Sequence, residues 1–180
     1  MIKERDAWEC PQDTETFQYG LNYVKYESDM LGFTHSCLTV GFLFKLDRVF
    51  GHEIAKGVKN SILESFLLHF RALREFFEKH PNERKEGPSG EDHTVISADY
   101  GFGPFGLEWL DKETRVRLNK DLAHIDYDRR EREQKGKEWP TNFMFKKMME
   151  ALKLFEKHIK SLDSAFPATR NSEGKRLTLK

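Results

Sequence analysis

The sequence predicts an all-α protein, a helical bundle of four to five helices with one long loop at about 81–106. Apolar residues recur at spacings of three and four through several long segments, which is the period of an α-helix. Alternation of the kind found in strands is confined to the short segment 93–98. The 180 residues include 13% aromatic side chains, so the chain is long and apolar enough to form a packed core.

A first helix is predicted over residues 14–31. Its apolar positions fall near one face: Phe17, Leu21, Val24 and Leu31. The following segment, 32–50, is more apolar and contains Gly32 and Gly41. This segment is compatible with a kinked continuation of the first helix or with a separate short element.

The strongest helical pattern covers residues 54–80, where the apolar arc is wide enough to predict a helix buried in the middle of the bundle. Pro81 is expected to end this helix. The loop that follows contains GFGPFG, which has the glycine spacing of a nucleotide-binding loop but no strand leading into it. It is therefore interpreted as an ordered turn that places Phe102 and Phe105 in the core.

Two more helices are predicted after the loop. The first covers 111–133, with Asp111 as its N-cap. The second covers 140–163, and its apolar residues follow a regular spacing of three and four: Phe145, Met148, Leu152, Phe155, Ile159 and Leu162. Residues 1–166 are thus predicted to form a single helical domain, and residues 167–180 a flexible basic tail.

Composition restricts the class of protein. Thirty Lys and Arg balance thirty Asp and Glu, which argues against a strongly basic nucleic-acid coat protein but allows a local basic groove. Cys10 and Cys37 lack the spacing of a zinc site, so we expect free thiols, no metal and no cofactor. The longest apolar run, 37–44, is too short to cross a bilayer, and we expect a cytoplasmic protein without a membrane partner.

The segment RVRLNKDLAHIDYDRRE, residues 115–131, has two stripes when it is wound as a helix. One stripe is apolar and is expected to face the core: Leu118, Leu122 and Ile125. The other is polar and lies beside it: Arg117, Asp121, His124 and Asp128. Groups at the border of a core are partly desolvated, and partial desolvation shifts the pKa of ionisable side chains, as is frequent at functional sites.

These polar residues suit cleavage of an RNA phosphodiester. His124 titrates near neutral pH and can take a proton from the ribose 2′-hydroxyl. Arg117 can stabilise charge on the phosphate oxygens, and Asp121 can orient the imidazole. No metal is required, because the nucleophile belongs to the substrate. A solvated helix face shows the same spacing, so that interpretation stays open.

The segment RLNKDLAH, from Arg117 to His124, resembles the R-x4–6-H motif of the HEPN superfamily, with six residues between the arginine and the histidine. The stretch from Ser61 to Phe77, followed by a loop and LNKDLAH, also looks like uncharacterised bacterial HEPN-like proteins. The resemblance covers about residues 50–160. It implies a metal-independent endoribonuclease of toxin or defence type, in which Arg117 and His124 act at the cleft of a homodimer.

The resemblance also implies supporting residues and partners. Glu64, on the preceding helix, is a candidate acidic member of the site, with a surface charge pair to Arg71 as the alternative. Family members often carry a polar residue directly after the arginine, whereas here Leu118 holds that place and Asn119 comes one later. Some family toxins carry H-x-Y for modification by a partner nucleotidyltransferase, whereas here Tyr127 is one residue further on. An antitoxin or a nucleotidyltransferase is the further partner that the resemblance implies. A non-catalytic HEPN-like nucleotide- or RNA-binding or assembly module is the alternative function.

Overall fold

The computed structural model describes residues 14–40, 42–83, 94–120 and 139–165, and all of the regular structure in those ranges is helical. These ranges contain five α-helices, in chain order α1 (Thr14–Thr39), α2 (Phe42–Phe50), α3 (His52–Glu78), α4 (Lys112–Lys120) and α5 (Thr141–Ala165). The described residues between α3 and α4 include two 3-10 turns, Pro81–Glu83 and Ser97–Tyr100. The protein is an all-α helical bundle, as the apolar periodicity predicted.

Residues 94–98 do not form the short strand that their alternation allowed. Thr94–Ile96 have no regular structure, and the second 3-10 turn begins at Ser97. Within this turn, the Ile96 N–H donates a hydrogen bond to Asp99 Oδ2 over 3.0 Å. With no second strand beside it in the described chain, an isolated extended segment has no partner for its backbone groups and turns instead.

The region from 32 to 50 contains a break between two helices. α1 continues to Thr39, well beyond the predicted end at residue 31, and α2 begins at Phe42. α2 and α3 are separated by one residue, Gly51, whose φ of 82° is in the left-handed region that favours glycine. The Gly51 N–H donates to the Asp47 carbonyl over 3.1 Å, and the Gly51 carbonyl accepts from Ala55 N–H over 3.1 Å.

The described residues divide into two compact units. The first takes those within Met1–Lys25, Glu75–Gly106 and Ala151–Lys180, and the second takes those within Tyr26–Arg74 and Leu107–Glu150. The prediction of a single domain over 1–166 and a tail over 167–180 remains a prediction. The tail lies outside the described residues.

Aromatic rings form the core of the first unit. They meet mostly edge to face, with centroids 4.8 to 6.1 Å apart: Phe17, Phe76, Phe77, Tyr100 and Phe155. Tyr100 is buried and donates its hydroxyl proton to the Phe17 carbonyl over 3.3 Å. A Cβ added to Gly20 would lie 1.9 Å from this hydroxyl oxygen, so the ring approaches α1 where the helix has no side chain.

The GFGPFG segment is an ordered turn of the first unit. Gly101 and Gly103 have φ values of 68° and 70°, in the left-handed region that favours glycine. Phe102 and Phe105 each pack edge to face against Phe77, with centroids 6.1 and 6.4 Å away. Phe102 and Phe105 are themselves half-buried, so both rings pack at the edge of the core of the first unit.

Apolar side chains of four helices form the core of the second unit. The buried members include Leu31, Phe66, Phe70, Leu73, Leu118, Met144 and Met148. Trp109, which precedes α4, packs edge to face against Phe70, with centroids 6.0 Å apart. This unit contains α4, the helix that carries Arg117.

Candidate active site around Arg117

The start of α4 is fixed by the N-cap that the sequence predicted at Asp111. Asp111 Oδ1 accepts a hydrogen bond from the Thr114 backbone N–H over 2.9 Å, and Oδ2 accepts from the Thr114 hydroxyl over 2.7 Å. The Thr114 hydroxyl, then its backbone N–H, hold the pKa of Asp111 below its usual 3.8. The cap satisfies donors of the first helical turn that have no partner inside the helix.

Arg115 ties α4 to the segment that leads into it. Its Nε donates to the Leu110 carbonyl over 2.9 Å, and its Nη2 donates to the Leu107 carbonyl over 2.6 Å. The two carbonyls are thereby satisfied by a charged group, which gives stronger hydrogen bonds than a neutral donor. The orientation of α4 is therefore set by its cap and by Arg115 together.

Leu118 is completely buried, as its place in the apolar stripe predicted. Burial of Leu118 fixes the rotation of α4 and places Arg117, its neighbour, at the border of the core, where Arg117 is half-buried. The Arg117 guanidinium carbon lies 4.1 Å from the centre of the Trp139 ring. A cation over the face of an indole is attracted by the ring quadrupole, and this attraction favours a position of the guanidinium group beside Trp139.

Asn119 does not extend the polar stripe of Arg117. Its Oδ1 accepts a hydrogen bond from Arg74 Nη2 over 3.1 Å. Arg74 lies on α3 and is only 8% exposed, so Asn119 supplies an acceptor to a buried cation. HEPN family members often carry a polar residue directly after the arginine, where this chain has Leu118. Asn119, one position later, instead makes a structural hydrogen bond to Arg74.

The other predicted site residues are placed as follows. Glu64 is exposed on α3. Asp121, His124 and Tyr127 lie outside the described residues, as do Leu122, Ile125 and Asp128. Of the predicted set, the described part of the chain therefore brings Arg117 and Asn119 onto one helix and leaves the pairing of Arg117 with His124 a prediction.

Sequence reasoning missed two residues beside the motif. Trp139 lies between the last two predicted helices and was given no role, and Arg74 was included in the predicted helix 54–80 without one. Arg74 carried a signal, because it is a charged residue within the wide apolar arc of that helix, where an arginine needs a partner. Trp139 carried none, since a contact between residues 22 positions apart cannot be derived from helical spacing.

Two histidines in the second unit have structural partners. His69 Nδ1 lies 2.7 Å from Glu27 Oε2. The His35 ring stacks on Phe145 with centroids 4.0 Å apart, and its Nε2 lies 2.8 Å from Asn142 Oδ1. Neither histidine belongs to a group of three or more ligating side chains, and the described ranges contain no such group.

No helix within the described residues is both long and apolar enough to cross a membrane. No family model, no curated protein and no solved structure matches this chain.

Proposed function

We propose that this chain is a HEPN-like, metal-independent endoribonuclease of toxin or defence type, in which Arg117 and His124 cleave RNA at the cleft of a homodimer. The observation that supports it best is the contact of Arg117 with Trp139. A long, flexible cation is here placed over an aromatic ring at the border of a core. Such placement lowers the entropic cost of directing the guanidinium edge at a phosphate.

The proposed reaction uses the 2′-hydroxyl of the substrate as nucleophile. His124 takes the hydroxyl proton, the 2′ oxygen forms a bond to phosphorus, and the bond from phosphorus to the 5′ oxygen breaks. The departing 5′ oxygen takes up a proton from water, and His124 returns its own proton to the solvent. Arg117 donates hydrogen bonds to the phosphate oxygens as negative charge builds on them. The products are a 2′,3′-cyclic phosphate and a 5′-hydroxyl end, and Asp121 orients the histidine.

The test is cleavage of mixed RNA in EDTA by the purified protein and by the His124→Ala and Arg117→Ala variants. We expect cleavage by the wild type and a loss of at least about a hundredfold in each variant, since general acid–base and electrostatic contributions are each of that size. Product ends should carry the cyclic phosphate. The matched controls are His52→Ala and Arg48→Ala, two exposed residues on α3 and α2. The proposal is wrong if the wild type does not cleave or if His124→Ala cleaves equally well.

The role of Trp139 gives a second test of the same site. Trp139→Leu should reduce cleavage while Arg117 stays in the sequence, because the guanidinium loses the surface that positions it. Arg117→Lys should also be impaired, since an ammonium has neither the planar face nor the fork of donors. Val116→Leu, an exposed apolar change on the same helix, serves as the control and should cleave normally.

A specific observation favours a second candidate, a non-catalytic HEPN-like module that binds a nucleotide or RNA or assembles with a partner. Leu118 is fully buried and Asn119 is hydrogen-bonded to Arg74, so neither supplies the polar neighbour that family members often place after the arginine. This candidate predicts RNA binding that weakens in Arg117→Ala, without cleavage in any variant. An antitoxin or a nucleotidyltransferase partner belongs to the first proposal and would be identified by co-purification. A cytoplasmic location also belongs to that proposal and would be tested by cell fractionation.

A further inference from the structure

Two aromatic residues of the second unit, Trp109 and Phe143, meet at its surface. Phe143 lies in the first turn of α5 and exposes 47% of its surface. Trp109, which precedes α4, is half-buried and meets Phe143 edge to face, with ring centroids 5.5 Å apart and an angle of 85° between the planes. These two residues are called the aromatic pair. Phe143 is thus not a single exposed apolar residue of the kind that is common on protein surfaces.

The position of Trp109 is fixed by the chain around it. Leu107 and Leu110 are buried, and their carbonyls accept the hydrogen bonds of Arg115. The indole also packs edge to face against the buried Phe70, with centroids 6.0 Å apart. The ring is therefore held in place before a ligand arrives, which lowers the entropic cost of binding to it.

The aromatic pair is linked to the Arg117 site through the start of α5. Arg117 lies over Trp139, and Phe143 follows Trp139 by four residues. The Pro140 carbonyl accepts a hydrogen bond from the Met144 N–H over 2.9 Å, so the backbone between them already follows a helical path. Residues four apart lie on one side of a helix, about 6 Å apart along its axis. The exposed ring of Phe143 thus comes about one helical turn after the ring that carries Arg117.

The charges near the aromatic pair suit a ligand with several negative groups. Arg117 is half-buried beside Trp139, and Lys146 is exposed three residues after Phe143, where it neighbours that ring on the surface of α5. A nucleotide consists of one flat base and one negatively charged phosphate. Proteins that bind single-stranded nucleic acids combine cations that contact the phosphates with aromatic rings on which the bases stack.

We infer that the aromatic pair is a stacking surface for an unpaired nucleobase of the RNA whose phosphate contacts Arg117. The inference rests on the proposed function, since it takes RNA as the ligand, and it adds that this RNA is single-stranded here. Within a duplex, the faces of a base are covered by its neighbours, so the base cannot lie on Phe143. In an edge-to-face pair one ring contributes only its edge, which leaves the faces of that ring free of its partner.

The experiment measures binding by fluorescence anisotropy. The first ligand is a fluorescein-labelled RNA strand of about 12 nucleotides, within the range that single-strand binders occupy, whose 2′-O-methyl groups block the nucleophile. The second ligand is a strand of the same length without bases, which keeps the phosphates and removes the stacking. The wild type should bind the first strand more tightly than the second.

Phe143→Leu keeps an apolar side chain but removes the ring. It should weaken binding of the strand with bases by about 5- to 150-fold, the contribution of one stacked base, because the base loses its flat partner. Binding of the strand without bases should not change. Annealing the first strand to its complement should abolish the difference between Phe143→Leu and the wild type, since paired bases do not reach the ring.

Matched variants separate stacking from a change of fold. Phe143→Trp keeps an aromatic ring and should bind both strands like the wild type. Phe50→Leu removes an aromatic ring of similar exposure, 55%, from α2 and should also bind both strands like the wild type. Circular dichroism should show the same helix content in all three variants, because both replaced side chains are about half exposed.

The outcomes distinguish this inference from the proposed function. A wild type that binds both strands equally, or neither, overturns the stacking surface, as does a Phe143→Leu protein that binds the strand with bases like the wild type. If the wild type nevertheless cleaves natural RNA, the endoribonuclease stands without the stacking surface. Binding that depends on the bases and on Phe143, without cleavage of natural RNA, supports the stacking surface and contradicts the endoribonuclease.

Discussion

Arg74 and Asn119, 45 residues apart in the sequence, are joined by a hydrogen bond of 3.1 Å from Nη2 to Oδ1. Arg74 is nearly buried on α3, so the acceptor on α4 partly compensates the loss of water around a permanent charge. The contact links the helix that carries Arg117 to the longest helix of the second unit. Asn119 was a candidate for a supporting role in catalysis, and this contact gives it a measurable role in stability.

The first prediction concerns this hydrogen bond. Asn119→Ala should lower the free energy of unfolding by about 1–2 kcal/mol, because a hydrogen bond to a charged group is lost and the buried cation is less well solvated. Urea denaturation gives the measurement. Asn22→Ala is the matched control, since Asn22 accepts from Gln18 at the surface of α1 and its loss should cost less than about 0.5 kcal/mol. Equal effects in the two variants would contradict the role assigned to Arg74.

A second prediction uses two glycines of α1. Gly20→Ala should destabilise the protein by about 1–3 kcal/mol, because the new methyl group overlaps the buried Tyr100 hydroxyl. Gly32→Ala adds the same methyl group in open space and should stabilise the protein by about 0.5–1 kcal/mol through helix propensity. Thermal unfolding of both variants measures the difference. In a Tyr100→Phe background, Gly20→Ala should cost less, and an unchanged cost would show that the hydroxyl is not the obstacle.

The third prediction compares a buried with an exposed histidine–carboxylate pair. His69→Ala should cost about 1–3 kcal/mol, because it leaves Glu27, which has 8% of its side chain exposed, without its 2.7 Å partner. His52 lies 3.4 Å from Asp47, with side chains 79% and 52% exposed, and His52→Ala should change stability by less than about 0.5 kcal/mol. Guanidinium unfolding curves for both variants test the contrast. Similar midpoints would mean that burial of the His69 pair has no energetic consequence.

The fourth prediction concerns acid stability. The pKa of Asp111 is lowered in the folded protein by the Thr114 hydroxyl and N–H, so its ionised form favours folding. This contribution is present above the pKa of the unfolded chain and is lost as the pH falls through the lower folded value. Asp111→Asn should keep an acceptor for the cap but remove this pH dependence, whereas Asp111→Ala should lower the melting temperature at neutral pH as well. Melting temperatures between about pH 2 and 7 test both effects, since that range spans the model-peptide value of an aspartate. An Asp111→Asn curve parallel to that of the wild type would exclude the mechanism.

The helices were predictable because their buried side chains repeat in sequence. α3 runs from His52 to Glu78 against a predicted 54–80, and α5 runs from Thr141 to Ala165 against 140–163. The end of α1 was not predictable, since the apolar residues beyond Leu31 form the exposed face of this helix and obscure the pattern of the buried one. Helical spacing alone cannot find contacts such as Arg117 with Trp139, which join segments brought together by folding. The same limit applies to the pairing of Arg117 with His124, which stays a prediction.

The junction between α2 and α3 has a consequence for the conformations available to this part of the chain. Gly51 alone interrupts a helical path that would otherwise extend from Phe42 to Glu78, and its hydrogen bonds to Asp47 and Ala55 already have helical spacing. Any other residue would adopt the left-handed conformation at a cost of about 1–2 kcal/mol, whereas the right-handed one fuses α2 and α3 into a single rod. The absence of a Cβ at residue 51 therefore permits the left-handed conformation that separates α2 from α3, and a residue with a Cβ at this position would favour one continuous helix from Phe42 to Glu78.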